Sequence, residues 1–96
     1  MYLTVHNQLT LLHDLLDEQV TYKTVSLEEY KQIKKLVQTI ISNKDMDSEL
    51  LTVLPEIYCY GLKGEVAHSF IDHIEEYESK IKQWLETINR TKLNIS

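Results

Sequence analysis

The residues with the greatest potential for chemistry are four histidines and one cysteine, and their spacing limits what they can do together. His6 and His13 are two helical turns apart, about 10 Å, which is too far for both to ligate one metal ion. His68 and His73 are five residues apart, so their side chains diverge on a helix. If a metal-dependent activity existed, His6, His13 or His73 would carry it.

A carboxylate metal site inside a helical bundle needs a Glu-x-x-His pattern from two helices and inward acids from the others. His73 with Glu76 has ligand-like spacing, but Glu76 lies on the polar face of its helix. The run 43–49 begins like a calcium loop, yet Ser48 and Leu54 stand where that loop needs glycine and glutamate. We therefore expect neither a metal nor a cofactor.

Cys59 is the single cysteine, so the chain cannot form an internal disulfide, which is typical of a reducing compartment. Tyr58 and Tyr60 flank it, and no base close in sequence could activate the thiol as a nucleophile. Gly61 and Gly64 are too few for a phosphate-cradling loop. We expect that the protein is not an enzyme.

The composition is that of one small, acidic, globular domain covering residues 1–96. The chain carries a net charge of -5, with 43% hydrophobic and 26% charged residues. Only two glycines and one proline occur, which favours helices over strands and tight turns. We see neither a secretion signal nor a membrane span and expect a cytoplasmic protein without membrane contact.

The clearest periodic pattern lies in the C-terminal third, where apolar residues recur at alternating spacings of four and three. The seam consists of Phe70, Ile74, Tyr77, Ile81, Trp84 and Ile88. It predicts a long amphipathic helix, supported by acid-before-base pairs such as Glu86 with Arg90. This helix should begin between Glu65 and Ser69 and fray after Arg90, leaving 91–96 as a loose tail.

Two shorter amphipathic helices come first. One is predicted from Thr4, an acceptable N-cap, to Val20. The next starts at Ser26, which forms a capping box with Glu29, and ends at Ser42-Asn43-Lys44, where Asn43 can adopt a left-handed conformation.

A third helix is predicted from Asp47 to Tyr60, followed by a turn over 61–64. Pro55 interrupts its hydrogen bonding, so we expect a helix that is kinked or split there, with a kink favoured because the apolar face stays in phase. Four amphipathic helices with short links predict an all-α fold, a small antiparallel four-helix bundle.

Four residues are candidates for binding a partner. Tyr60 lies off the centre of its helix face and is the best candidate for an exposed aromatic side chain. Lys31 and Lys35 point away from the apolar face of the second helix, and His13 lies at the edge of the first.

Three short runs resemble a known family. They are Leu-Thr-Leu-Leu-His-Asp-Leu-Leu at 9–16, Ile-Tyr-Cys-Tyr-Gly at 57–61, and His-Ile-Glu-Glu at 73–76 followed by Gln83-Trp84. Together they resemble the YtzH-like family, small proteins of spore-forming Gram-positive bacteria. The similarity covers most of the chain, from the first helix to Trp84. It implies a bacterial cytosolic setting and a free thiol, and it carries over no activity and no functional residue.

The sequence favours a non-enzymatic protein–protein interaction or regulatory module, which binds an unknown protein partner or itself. The alternative is a role related to nucleic acid, either direct binding by the lysines of the second helix or acidic mimicry of phosphate against a DNA-binding protein. The net charge of -5 makes direct binding of nucleic acid the less expected of these partners. A metal-dependent activity of the histidines is the third hypothesis.

Overall fold

The computed structural model describes residues 4–43 and 47–94 and contains four helices. They are α1 (Val5–Tyr22), α2 (Leu27–Ile41), α3 (Ser48–Glu65) and α4 (Phe70–Asn94). Each helix packs against the next along the chain, and α1 also packs against α4, so the four surround one core. The described residues contain no strand, and the prediction of a small all-α four-helix bundle is confirmed.

Contacts between α3 and α4 show that neighbouring helices run antiparallel. Glu49, near the start of α3, forms an ion pair with Arg90 near the end of α4. Two turns further along α3, Glu56 accepts a hydrogen bond from the indole nitrogen of Trp84 on α4. The partners on α4 therefore move backwards along the chain as α3 moves forwards.

The predicted seam of α4 forms its part of the core. Ile74, Ile81, Trp84 and Ile88 are all 2% exposed or less, while Phe70 and Tyr77 at the same face are half-buried. The other helices contribute the remaining buried apolar side chains, namely Leu9, Leu12, Leu15, Leu16, Val20, Tyr30, Ile33, Leu36, Val37, Ile40, Leu50, Leu54, Ile57 and Tyr60.

The capping residues Thr4 and Ser26 correctly predict where α1 and α2 begin. The Thr4 hydroxyl accepts from the backbone of Asn7 at 3.1 Å, and both halves of the Ser26 capping box form. The helix ends differ. The prediction for Asn43 is wrong, because Lys23 is the non-glycine residue with a positive φ, 56°, among the described residues. Lys23 ends α1 in the left-handed conformation.

The third helix is longer than predicted and is not split. It continues through Pro55 and on to Glu65. Pro55 and Leu51, whose carbonyl loses its helical partner to the proline, both lie on the exposed side, where water can replace the missing bond. The packing of α3 then outweighs the cost of one absent hydrogen bond.

The predicted turn over 61–64 is also wrong, because both glycines lie inside α3. A Cβ on Gly64 would stand 2.4 to 2.7 Å from three ring atoms of Tyr30. A Cβ on Gly61 would stand 3.0 Å from Cγ of Lys34 and 3.2 Å from the Tyr30 carbonyl oxygen. These glycines allow α2 and α3 to approach closely, and they do not end the helix.

The last helix begins where expected but ends later. The Ser69 hydroxyl accepts from the backbone of Asp72 at 3.2 Å, in agreement with a start after Ser69. The predicted loose tail is wrong for residues 91–94, since α4 continues to Asn94 and Thr91 is buried. Residues 95–96 lie outside the described part of the chain. The predicted pair of Glu86 with Arg90 is replaced by the contact of Arg90 with Glu49.

We predict that Gly64→Ala destabilises the bundle by about 1–2 kcal/mol, because overpacking against the rigid Tyr30 ring exceeds the gain in helix propensity. Gly61→Ala is the matched comparison and should be less destabilising, because its Cβ would stand 3.0 Å from the flexible stem of Lys34 and 3.2 Å from the Tyr30 carbonyl oxygen, with no contact under 3.0 Å. Urea unfolding followed by circular dichroism measures both variants. Equal stabilities of the two variants would contradict the assignment of Gly64 to the close contact.

Candidate functional site

The structure does not bring the four candidate binding residues together. Lys31 and Lys35 lie on the exposed face of α2, as predicted, and line a shallow depression of about 390 Å³ with Glu28 and Gln32. The Lys31 ammonium is 3.8 Å from the Glu28 carboxylate. This acid offsets part of the positive charge, so the depression is not a strongly basic patch.

His13 is half-buried on α1 and pairs locally. Its Nδ1 lies 3.4 Å from the carboxylate of the adjacent Asp14. Asp17, one turn later on α1, accepts a hydrogen bond from Thr21. Among the described residues, no group of three or more His, Cys, Asp or Glu side chains could hold a metal ion; residues 44–46, within the run that begins like a calcium loop, lie outside them.

The prediction of an exposed Tyr60 is wrong, because its side chain is 0% exposed. Its hydroxyl donates to Oε1 of the buried Gln19 at 2.7 Å. The physical reason is that α3 packs against both α2 and α4. The two neighbouring helices together bury a wider part of the surface of α3 than its apolar stripe indicates. Tyr60 therefore cannot contact a partner in the folded protein.

Tyr60 belongs to a buried cluster of rings that sequence reasoning missed. The His73 imidazole stacks on the Tyr60 ring, with centroids 4.8 Å apart and planes 11° from parallel. Tyr77 and Trp84 complete this side of the cluster, and Tyr30 meets His73 edge-on. The sequence contains a signal for this cluster, since His73, Tyr77 and Trp84 share one face of α4 at helical spacing, but the predicted seam leaves His73 out.

Tyr60 and His73, two members of the cluster, form internal hydrogen bonds. Nε2 of His73 lies 3.0 Å from the carbonyl oxygen of Tyr60, which can only accept, so this nitrogen carries a proton. Burial raises the pKa of the Tyr60 hydroxyl, and the neighbouring Tyr30 hydroxyl raises it further. Both phenols stay neutral, and the cluster stabilises the core without offering an activated base or nucleophile.

Two buried polar atoms of this region have no hydrogen-bond partner within the described residues. They are Nε2 of Gln19 and the hydroxyl oxygen of Tyr30. The Tyr30 and Tyr60 hydroxyls lie close enough to perturb each other's pKa, with burial as the main reason that the pKa of Tyr30 is raised, but they do not adopt hydrogen-bond geometry. The bond from Tyr60 to Gln19 is therefore the main polar contact deep in the core.

We predict that Tyr60→Phe destabilises the protein by about 1–3 kcal/mol, because it leaves the buried Gln19 amide without its donor. Adding Gln19→Leu should recover part of the loss, since replacing both polar partners by apolar groups is far less costly. Urea unfolding of the two single variants and the double variant measures the coupling. Strictly additive losses would show that the hydrogen bond contributes nothing.

Among the described residues, most of the large exposed apolar side chains lie at one end of the bundle. Because the helices alternate in direction, the α1–α2 link and the α3–α4 link meet at this end. Five of the seven such side chains among the described residues lie there: Tyr22, Leu27, Leu62, Val66 and Ile71. We call these five residues the loop-end surface. Ile41 and Leu51 lie at the opposite end.

Two adjoining concavities extend from the loop-end surface along α4. The first, the apolar notch, has a volume of about 350 Å³ and is lined chiefly by Val25, Phe70 and Ile71. The second, the acidic groove, has a volume of about 670 Å³ and is lined by acids of α4. Lys23 lines both, so the notch and the groove are neighbours.

The three carboxylates of the acidic groove differ in their pairing. Glu78 forms ion pairs with Lys23 and Lys82. The hydrogen bond from Lys23 is the main reason that the pKa of Glu78 lies below its ordinary value, and the hydrogen bond from Lys82 lowers it further. Glu75 and Glu76 are exposed and form no ion pair within the described residues. The groove therefore retains negative charge that its own lysines do not neutralise.

We predict that the pairing of Glu78 makes stability depend on acid pH. A depressed pKa stabilises the folded state fully above the pKa of the unfolded chain, about 4.3, and this contribution is lost as pH falls through the lower folded value. The free-energy difference between the wild type and Glu78→Gln should thus be largest above about pH 5 and shrink on acidification. Urea unfolding at a series of pH values measures it.

The matched control for this series is Glu86→Gln, which removes an exposed carboxylate of α4 that forms no ion pair within the described residues. The free energy of unfolding of Glu86→Gln should change with pH in the same way as that of the wild type. A difference for Glu78→Gln that does not change with pH would contradict the role of the ion pair.

Cys59 is a free thiol, as expected, and it is exposed on α3. It lines a shallow depression of about 270 Å³ with Lys63 and Lys80 at its edge. The indole of Trp84 in the same depression donates to Glu56 at 3.2 Å.

Comparison with known proteins assigns the family. The profile described as YtzH-like protein matches residues 3–88, nearly the whole chain. The chain belongs to the YtzH-like family. The uncharacterised protein YtzH of Bacillus subtilis (strain 168) is 28% identical over 89 residues, which cover 93% of this chain and 97% of that protein. No solved structure matches the chain.

Membership of the YtzH-like family confirms the resemblance found in the three short runs, and it places the chain among small bacterial proteins. Within residues 4–43 and 47–94, no helix combines the length and the apolar character that crossing a membrane requires.

Proposed function

We propose that this protein is a non-enzymatic interaction module and that the loop-end surface is the face that binds a protein partner. The carrying observation is that five of the seven large exposed apolar side chains among the described residues lie at that end. Val66 is 80% exposed, Tyr22 70% and Ile71 51%.

Single apolar side chains on a surface are ordinary, whereas their clustering is typical of binding faces. Covering such side chains contributes roughly 25 cal/mol for each Å² of apolar area removed from water, which must offset the entropy cost of association. Leu62 and Val66 are four residues apart at the end of α3, so they share one side of the chain there. Tyr22 adds an aromatic ring, the residue type most often found at binding hot spots.

The lysine face of α2 supports the alternative, a role in binding nucleic acid, less well. Lys31 is paired with Glu28, and the chain as a whole carries a net charge of -5. Direct binding of nucleic acid depends on a basic surface that neutralises several phosphates. The loop-end surface is therefore the better supported candidate.

The test compares two double variants in a pull-down from bacterial lysate and in light scattering. Val66→Ser with Ile71→Ser alters the loop-end surface, and Ile41→Ser with Leu51→Ser alters the same number of exposed apolar residues at the opposite end. The wild type and the opposite-end variant should keep their partner or self-association, and the loop-end variant should lose it. A strictly monomeric wild type that retrieves no partner, or equal behaviour of both variants, would contradict the proposal.

A further inference from the structure

We infer that the partner of the loop-end surface is a basic amphipathic helical segment, which places an apolar side chain in the apolar notch and cationic side chains along the acidic groove. This inference rests on the proposed function and adds the chemistry of the partner.

The arrangement of the two concavities sets the spacing of such a segment. The notch lies at Ile71 and the groove extends past Glu78, and these residues are seven apart on α4. Seven helical residues rise about 10 Å. The apolar side chain of the partner that enters the notch and its nearest cationic side chains must therefore be separated by one to two helical turns. An amphipathic helix offers this spacing with its rows of apolar and charged residues.

Charge complementarity decides the sign of the partner. Asp72, Glu75 and Glu76 occupy one exposed side of the first turns of α4, and none of them forms an ion pair within the described residues. Glu78 is already neutralised by Lys23 and Lys82. A cationic segment would find unpaired carboxylates next to an apolar pocket, while an anionic segment would meet repulsion of like charges.

The same charges argue against a second copy of the chain as the occupant. A two-fold interface buries the same surface of both subunits, so two grooves that each retain negative charge would approach each other. Nucleic acid is disfavoured for the same reason, because phosphates would lie against carboxylates.

The test uses synthetic peptides of about four helical turns in which leucine and lysine follow amphipathic spacing, with a leucine–glutamate peptide of the same pattern as the counterpart. Binding to the full chain is measured by titration calorimetry. We expect the lysine peptide to bind and the glutamate peptide not to bind. The affinity for the lysine peptide should fall as sodium chloride rises from about 50 mM to about 500 mM, because salt screens exposed charges.

Matched variants locate the contact. Glu75→Gln and Glu76→Gln should each weaken the lysine peptide roughly two- to five-fold, the range typical of one exposed ion pair. Glu86→Gln causes the same change of charge on α4 but lies outside the groove, and it should leave the affinity unchanged. Ile71→Ser should weaken binding by removing part of the notch. Circular dichroism checks that all four variants remain folded.

The possible failures are distinguishable. Equal binding of the two peptides, equal effects of Glu76→Gln and Glu86→Gln, or no binding of the lysine peptide would each overturn the basic partner. The proposed function would still be decided separately by the loss of association in the loop-end variant. If Ile71→Ser abolishes binding while salt and the glutamate variants have no effect, the surface binds a partner but the inferred charge is wrong.

Discussion

The close approach of α2 and α3 at the ring of Tyr30 is the constraint on which the rest of the bundle depends. The ring occupies the space that any side chain at position 64 would need, so Gly64 is the residue that permits the contact. The same ring meets Phe70 and His73 of α4 edge-on, with centroids 5.4 and 5.7 Å away. Because protein interiors are close-packed, the position of Tyr30 fixes α3 and the start of α4 together.

This packing explains why the Tyr60 hydroxyl and the His73 imidazole face inwards. The Tyr60 hydroxyl donates to Gln19, and Nε2 of His73 donates to the backbone of Tyr60. Burial keeps the tyrosines neutral by raising their pKa values, and buried polar groups are tolerated when they are hydrogen-bonded. Another molecule can contact only the groups of the surface, and the loop-end surface is the one that we propose for binding.

The chemical character of the loop-end surface and of the neighbouring acidic groove depends on where the helices end. The left-handed turn at Lys23 ends α1, and the ammonium group of this residue reaches Glu78 on α4. This ion pair connects the first link to the last helix and neutralises one acid of the groove. Glu75 and Glu76 retain their charge beside the apolar notch, so the combination of exposed apolar and exposed acidic groups arises from the geometry of the bundle.

The sequence by itself determined the number and order of the helices, the seam of α4 and the helix starts at Thr4 and Ser26, and it placed the start of α4 only between Glu65 and Ser69. These features depend on periodicity and on contacts three or four residues apart, which the sequence contains directly. Only the tertiary structure decided that Gly64 faces the Tyr30 ring, that Tyr60 is buried, and that the loop-end surface lies beside the acidic groove. Each of these depends on residues more than twenty positions apart, and a local pattern does not contain the distance between them.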